Sequence, residues 1–388
     1  MSPDTHDETT ATSRCPFAIQ DAHRAILESG TVGSFDLFGI KHWLVAAAED
    51  VKLVTNDPRF SSAAPSEMLP DRRPGWFSGM DLPEHSRYRQ KIAGDFTLRA
   101  ARKQEDFVVE AADSCLDDIE VAGPGTDLIP GYAKRLPSLV INALYGLTLE
   151  EGEVLEARMR GITGSVDLDS VKTLTDDFFA HALELVRAKR DEQGDDLLHR
   201  LASTSDGEIS LSDDEATGVF ATLLFAGHDS VQQMVGYSLY ALLSHPEQQA
   251  ALRARPELID NAVEEMLRFL PVNQMGVPRV CVGDIDLQGV RISAGDNVIP
   301  LYSTANRDAA VFPDPDAFDV TRPPEGNFAF GHGIHKCPGQ HVARLLIKVA
   351  CLRLFERFPD IRLTGDVPMN EGLGLFSPAE LRVTWGTE

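Results

Sequence analysis

The residues most able to do chemistry lie in FAFGHGIHKCPGQHVARL, residues 328–345, where one cysteine, Cys337, stands among three glycines and three histidines. A lone cysteine is most often a small buried hydrophobe. Here the flanking glycines let backbone approach closely, and a thiolate so placed would suit a metal. A second cluster, Ala226-Gly227-His228-Asp229-Ser230, interrupts an apolar run with a glycine, an acid and a hydroxyl. Glycine costs about 1 kcal/mol in a helix interior, and serine competes there for backbone hydrogen bonds. The cluster therefore reads as a local distortion that leaves room beside a helix. His85 with Arg89, and Glu265 with Arg268, have the spacings that share a helix face.

Ser212 and Glu215 have the spacing of a capping box. The apolar run beyond them meets no proline until Pro246, which predicts a helix of about 30 residues, near 45 Å long. It is apolar nearly all round and so belongs in the core. PELIDNAVEEMLRFLP predicts a shorter helix that stops at Pro271, and RVCVGDIDLQGVRISAGDNVIPLYS alternates as strands and tight turns do. Residues 306–327 are proline-rich and predict a long irregular loop. A helix follows the cysteine, with apolar positions at Val342, Leu345, Leu346 and Val349. The N-terminal half reads as mostly helical, apart from the strand-like HWLVAAAEDVKLV (42–54) and a polar loop over 61–79.

The chain has 388 residues, 43% hydrophobic and 25% charged, with no repeat and no Gly/Ser- or Pro-rich linker, so one large domain over 15–388 is expected after a flexible tail at 1–14. Its formal net charge of −24 argues against nucleic acid and anionic membrane as partners. No secretory signal and no membrane-spanning run is visible. Five scattered cysteines with no CxxC pair argue against a disulfide framework and for a reducing cytoplasm.

Phe330, Gly333, His335, Cys337 and Gly339 fit the spacing F-x-x-G-x-[HR]-x-C-x-G, which resembles the haem-binding signature of the cytochrome P450 family. The resemblance implies a mainly α fold with a small β-sheet region, a triangular prism with haem b held between the long helix and the cysteine loop. It implies Cys337 as the thiolate ligand of iron, a ligand that favours O–O cleavage. Phe330 would shield the sulfur, Gly333 would turn the loop, and Gly339 would lie against the porphyrin. His85, Arg89, Arg279 and His335 would supply cations to the propionates. Ala226 and Gly227 would border the haem from the long helix.

In the same family, Glu265 and Arg268 join Arg322 in a buried triad that locks the cysteine loop. Asp229 and Ser230 match its acid–alcohol pair for proton delivery, with serine where threonine is common. The substrate pocket would draw on Trp76, Phe77, Met80, Thr222, Phe225, Asn273, Gln274, Met275 and Phe376. Its amide side chains, with Gln232 and Gln233 nearby, would suit a substrate bearing amide or ring N–H groups.

The function implied is monooxygenation of a small natural product with O2 and electrons from a separate ferredoxin and ferredoxin reductase, by a cytoplasmic monomer. Arg87, Lys91, Arg99, Arg102, Lys336, Arg344 and Lys348 would form the basic docking patch. Three alternatives stay open: oxidative coupling of aromatic or indole groups such as cyclic dipeptides, a haem-binding gas sensor or carrier, and a haem-free protein with a buried cysteine.

Overall fold

The computed structural model describes residues 17–386, apart from 31, 38–39, 65–72, 165–166, 193, 204–209, 271, 325 and 373–374. The expected tail at 1–14, Cys15 and the helix-stopping Pro271 lie outside the described residues. Helices carry most of the chain. Those that position the site are α1 (Ala48–Asn56), α2 (Glu84–Ile92), α3 (Glu105–Ala122), α4 (Arg135–Tyr145), α5 (Leu149–Thr163), α6 (Leu168–Asp191), α7 (Asp213–Ser244), α8 (Ile259–Phe269) and α9 (Gln340–Arg357). A five-stranded sheet has the order β1-β2-β5-β4-β3, built from Gly33–Leu37, Ile40–Val45, Phe60–Ser61, Arg279–Cys281 and Asn297–Pro300. Only β2 and β5 run parallel. A hairpin, β6 (Met369–Gly372) and β7 (Leu375–Pro378), packs separately on α7.

Helix α7 is the expected long helix. It has 32 residues, and its capping box is complete: Ser212 Oγ accepts the Glu215 N–H while Glu215 accepts the Ser212 N–H. Tyr88 and Arg87 also bond to Glu215, which ties α2 to this helix start. The Arg87 pair and the capping N–H lower the Glu215 carboxyl to about 2. Most of α7 is buried, as an all-round apolar helix must be. At Gly218 a Cβ would overlap the carbonyl oxygen of Pro74, so this glycine lets the loop carrying Phe77 lie directly on the helix.

Two expectations need correction. The stretch 42–54 is only half strand. It leaves β2 at Val45 and enters α1 at Ala48, because Asp308 accepts the Ala48 N–H and Glu49 and Asp50 favour a first turn. Helix α7 also runs unbroken through residues 226–230. Ser230 donates to the Ala226 carbonyl at 2.7 Å, so the hydroxyl bonds within the helix instead of breaking it.

The cysteine loop is held from α8. Arg268 forms a fork on Glu265 at 2.7 and 2.8 Å, and Arg322 approaches the same carboxylate at 3.1 Å. Asp319 N–H adds a third hydrogen bond to Glu265. Arg268 also donates to the carbonyls of Asn306, Pro315 and Ala317. Asn306 Oδ1 then accepts the Phe328 N–H at the head of the cysteine loop. Glu265 and Arg268 are 2% and 1% exposed, so neither charge has water to fall back on. Removing one member of such a buried set typically costs about 3–5 kcal/mol. Glu265→Ala is expected to lower unfolding free energy by about that amount and to cut haem content, read by chemical denaturation and absorbance; unchanged values would contradict the network's role.

Candidate active site

A cavity of about 280 Å³ lies between the middle of α7 and the cysteine loop. Its floor holds Phe330, Cys337 and Gly339, its roof Thr222, Ala226, Gly227 and Ser230, and its side His85, Arg89 and His335. Most of the remaining lining is aliphatic or aromatic.

The loop geometry is enforced locally. Gly333 has φ +73°, and a Cβ there would overlap the Thr55 carbonyl at the end of α1, so only glycine fits. The Cys337 N–H donates to the Phe330 carbonyl at 2.8 Å and closes the loop. The N–H groups of Gly339 and Gln340, at the positive end of the 18-residue helix α9, favour the ionised sulfur. Burial pushes the Cys337 thiol up, while those N–H groups, Arg89 and Arg344 pull it back. Gly339 is φ −74°, so its conformation does not demand glycine. A Cβ there would stand 3.9 Å from the sulfur, in the floor of the cavity. The Arg344 guanidinium lies 4.5 Å from the Phe330 ring, which packs beside the sulfur's loop.

His85, Arg89, Arg279 and His335 gather at one edge. The two imidazoles meet at 4.5 Å between ring centroids, and each Nε2 is buried without a hydrogen-bond partner. Arg279 donates to Ser62, and Arg89 donates to the Lys336 carbonyl. None of the four forms an ion pair with a carboxylate among the described residues. Burial, together with Arg279 and His85, pushes His335 down to about 3. Burial and then Arg89 lower His85 as well. Burial thus favours the neutral, N–H-donating form of both rings as long as no anion lies against them. The Asp81 carboxylate acts on His85, Arg279 and His335 from a distance but pairs with none of them, so two guanidinia and two unsatisfied imidazoles form a site for carboxylates. Together with a thiol on the cavity floor and a glycine that keeps that floor flat, they fit a porphyrin with acidic arms.

The family profile described as Cytochrome P450 matches residues 166–381. Nocardicin C N-oxygenase of Nocardia uniformis subsp. tsuyamanensis is 38% identical over 365 residues, covering 90% of both chains. The chain belongs to the cytochrome P450 family. Mycinamicin IV hydroxylase/epoxidase of Micromonospora griseorubida is 35% identical over 360 residues, again with 90% coverage of each. The crystal structure of CYP105P1 in complex with filipin I superposes with a TM-score of 0.91 at 32% identity, covering 99% of each chain. As a cytochrome P450 this protein is a haem b monooxygenase of the natural-product type.

The structure separates the expected site residues. Phe77, Thr222, Ala226, Gly227, Ser230 and Asn273 line the cavity. Trp76 and Phe225 lie behind it, 6.1 Å apart, and both pack on phenylalanines of α6. Met80 is core, and Met275 joins a small cluster with Leu44 and Ile299. Gln274 is not in the lining, and the side chain of Phe376 on β7 lies outside the described residues. Gln232 and Gln233 face a different cavity. The expected amide-rich substrate pocket is thus reduced to Asn273.

Asp229 also leaves the cavity, for it lines that second, polar space on the other side of α7. His228 holds it: the imidazole Nδ1 lies 3.7 Å from Asp229 Oδ1, and this contact lowers the carboxyl below its ordinary range. Sequence reading missed Tyr145 and Tyr302 in the haem cavity, whose segments converge only in three dimensions, and Val231 and Met234, which helical spacing from Gly227 could have found.

Arg279→Leu tests the anion cradle. A charge-assisted hydrogen bond contributes roughly 1.5–3 kcal/mol, so haem transfer to an excess of scavenging apoprotein should speed up by roughly 10–100-fold. The melting temperature of the haem-free variant should not fall. Unchanged transfer would remove Arg279 from the cradle.

Proposed function

We propose that Cys337, as a thiolate, binds haem iron in the 280 Å³ cavity and that the enzyme inserts one oxygen atom from O2 into a small, mostly apolar natural product. The observation that carries this is the sulfur itself, set on the cavity floor beneath N–H groups and beside two guanidinia without a salt bridge and two imidazoles whose Nε2 atoms lack partners. Arg89 and Arg279 give the propionates charge, and His85 and His335 give them N–H bonds. Phe330 keeps water from the sulfur. When bound, thiolate-ligated haem supplies dioxygen activation.

The chain's own residues orient substrate and manage protons. Ser230 faces the cavity with its hydroxyl proton engaged by Ala226, which leaves its oxygen lone pairs free to accept. Asp229 relays protons to that position from the far face of α7. Serine lacks the methyl that restrains threonine, so this relay is looser and leaks more peroxide. Phe77, Thr222 and Asn273 border the substrate. With the other amides outside the cavity, oxygen insertion is favoured over coupling of cyclic dipeptides.

Electrons come from a ferredoxin and its reductase, in the cytoplasm, to a monomer. The docking patch is smaller than the sequence suggests. Arg87 is paired with Glu215, Arg344 with Glu264 and Lys348 with Asp260, and Lys91 acts on Asp95. Arg99, Arg102 and Lys336 remain, with exposed Leu98 and Ile334 near them in the chain. Local potential of this kind steers an acidic partner even on an acidic protein.

Two measurements test the reading. Turnover under ¹⁸O2 with ferredoxin, reductase and NADPH should give a product heavier by one labelled oxygen atom, and Cys337→Ser should give none. Reduction should slow as salt rises from about 0.01 to 1 M, where the screening length shrinks from roughly 30 to 3 Å. A product that has lost two hydrogens without gaining oxygen, or a salt-independent rate, would contradict it.

A further inference from the structure

Consecutive residues of α7 open onto two different spaces. Ser230 lines the haem cavity, while Asp229 lines a second cavity of about 160 Å³ with Glu156 and Arg160 of α5, Lys134, and Asn370 and Ser377 of the hairpin. Between Glu156 and Asp229 stands His228, only 1% exposed. Its Nε2 lies 3.6 Å from Glu156 Oε2 and is buried without a hydrogen bond, and its Nδ1 lies 3.7 Å from Asp229 Oδ1. The side-chain amide of Gln232 sits 3.1 Å from Nδ1 and also touches Ser138 Oγ at 3.0 Å. An amide can donate to a bare Nδ1 or, turned over, accept from a protonated one; Ser138, which donates to the Lys134 carbonyl at 3.0 Å, would then turn its proton to the amide oxygen. The surroundings therefore tolerate both neutral tautomers of the ring.

We infer that His228 passes protons from Glu156, at the second cavity, to Asp229, and so recharges the acid that serves the haem cavity. This rests on the acid–alcohol reading of Asp229 and Ser230 given above. Nε2 takes the proton of the Glu156 carboxyl as Nδ1 gives its proton to the Asp229 carboxylate; the ring changes tautomer and no net charge is made on it. Glu156 regains its proton from water in the second cavity, and a ring flip restores the first tautomer. A held-down carboxyl such as Asp229 is a poor proton store, so it needs a supply. The charged groups facing this path are Glu156 and Asp229, with Arg160 bonded to Glu156 and Lys134 acting on Asp229.

The test compares Asp229→Asn, Glu156→Gln and His228→Gln in the haem-loaded enzyme. Asp229→Asn should cut product per O2 consumed by roughly 10–100-fold, at or below the low end for a positioned proton donor. Glu156→Gln and His228→Gln should cut it roughly tenfold, because cavity water bypasses part of the path, and should enlarge the solvent deuterium isotope effect. Independently of turnover, ¹⁵N NMR of the His228 ring in the reduced, carbon monoxide-bound protein should show both neutral tautomers, in a ratio that changes in Glu156→Gln. A single tautomer in both proteins, or wild-type coupling and isotope effect in Glu156→Gln while Asp229→Asn is impaired, would overturn the role of His228 alone. Wild-type coupling in Asp229→Asn would overturn the acid–alcohol reading beneath it. If His228→Gln fails to hold haem, the Glu156→Gln results decide.

Discussion

A sulfur buried against an apolar cavity must be made ionisable, and the rest of the structure follows from that requirement. Burial alone drives the Cys337 thiol up. Two backbone N–H groups at the start of α9 and the guanidinia of Arg89 and Arg344 oppose it. They act only while the loop holds its shape. That shape depends on Gly333 fitting against α1, on the Cys337–Phe330 backbone bond, and on Asn306 tethering Phe328. The tether is in turn fixed by Arg268, whose charge Glu265 balances. A chain of contacts thus runs from a buried ion pair on α8 to the electrostatics of one atom.

Helix α7 separates two environments that oxygen chemistry needs kept apart. One face presents small side chains and a hydroxyl to an apolar cavity, where electrostatic effects are strong. A neighbouring face, one residue and about 100° away, presents a carboxylate to a polar space bordered by Lys134, Glu156 and Arg160. The boundary is one helix thick. The Asp229 carboxyl, held below its ordinary range beside His228, lies on the polar side, and the Ser230 hydroxyl lies on the apolar side.

What the sequence made legible were features that neighbouring residues settle among themselves. The Ser212–Glu215 box and the Glu265–Arg268 fork are set by i, i+3 residues, and both appear as read. The family resemblance through Cys337 led correctly to the fold, and the family profile and the TM-score of 0.91 agree with it. Properties set by distant segments were not legible. Asp308, 260 residues from Ala48, starts α1 where the local pattern suggested a strand. Glu215, 128 residues from Arg87, removes that arginine from the docking patch. Which side of α7 Asp229, Gln232 and Gln233 face depends on where α5 and the hairpin pack, which periodicity on α7 alone does not specify.

The central claim is a bond between the Cys337 sulfur and haem iron, and the absorbance spectrum of the reduced, carbon monoxide-bound protein reads it most directly. Thiolate ligation moves the main haem band to unusually long wavelength. The wild-type protein is predicted to show that band and Cys337→Ala to lose it. A variant that keeps the long-wavelength band, or a wild type that never shows it despite full haem loading, would contradict the account.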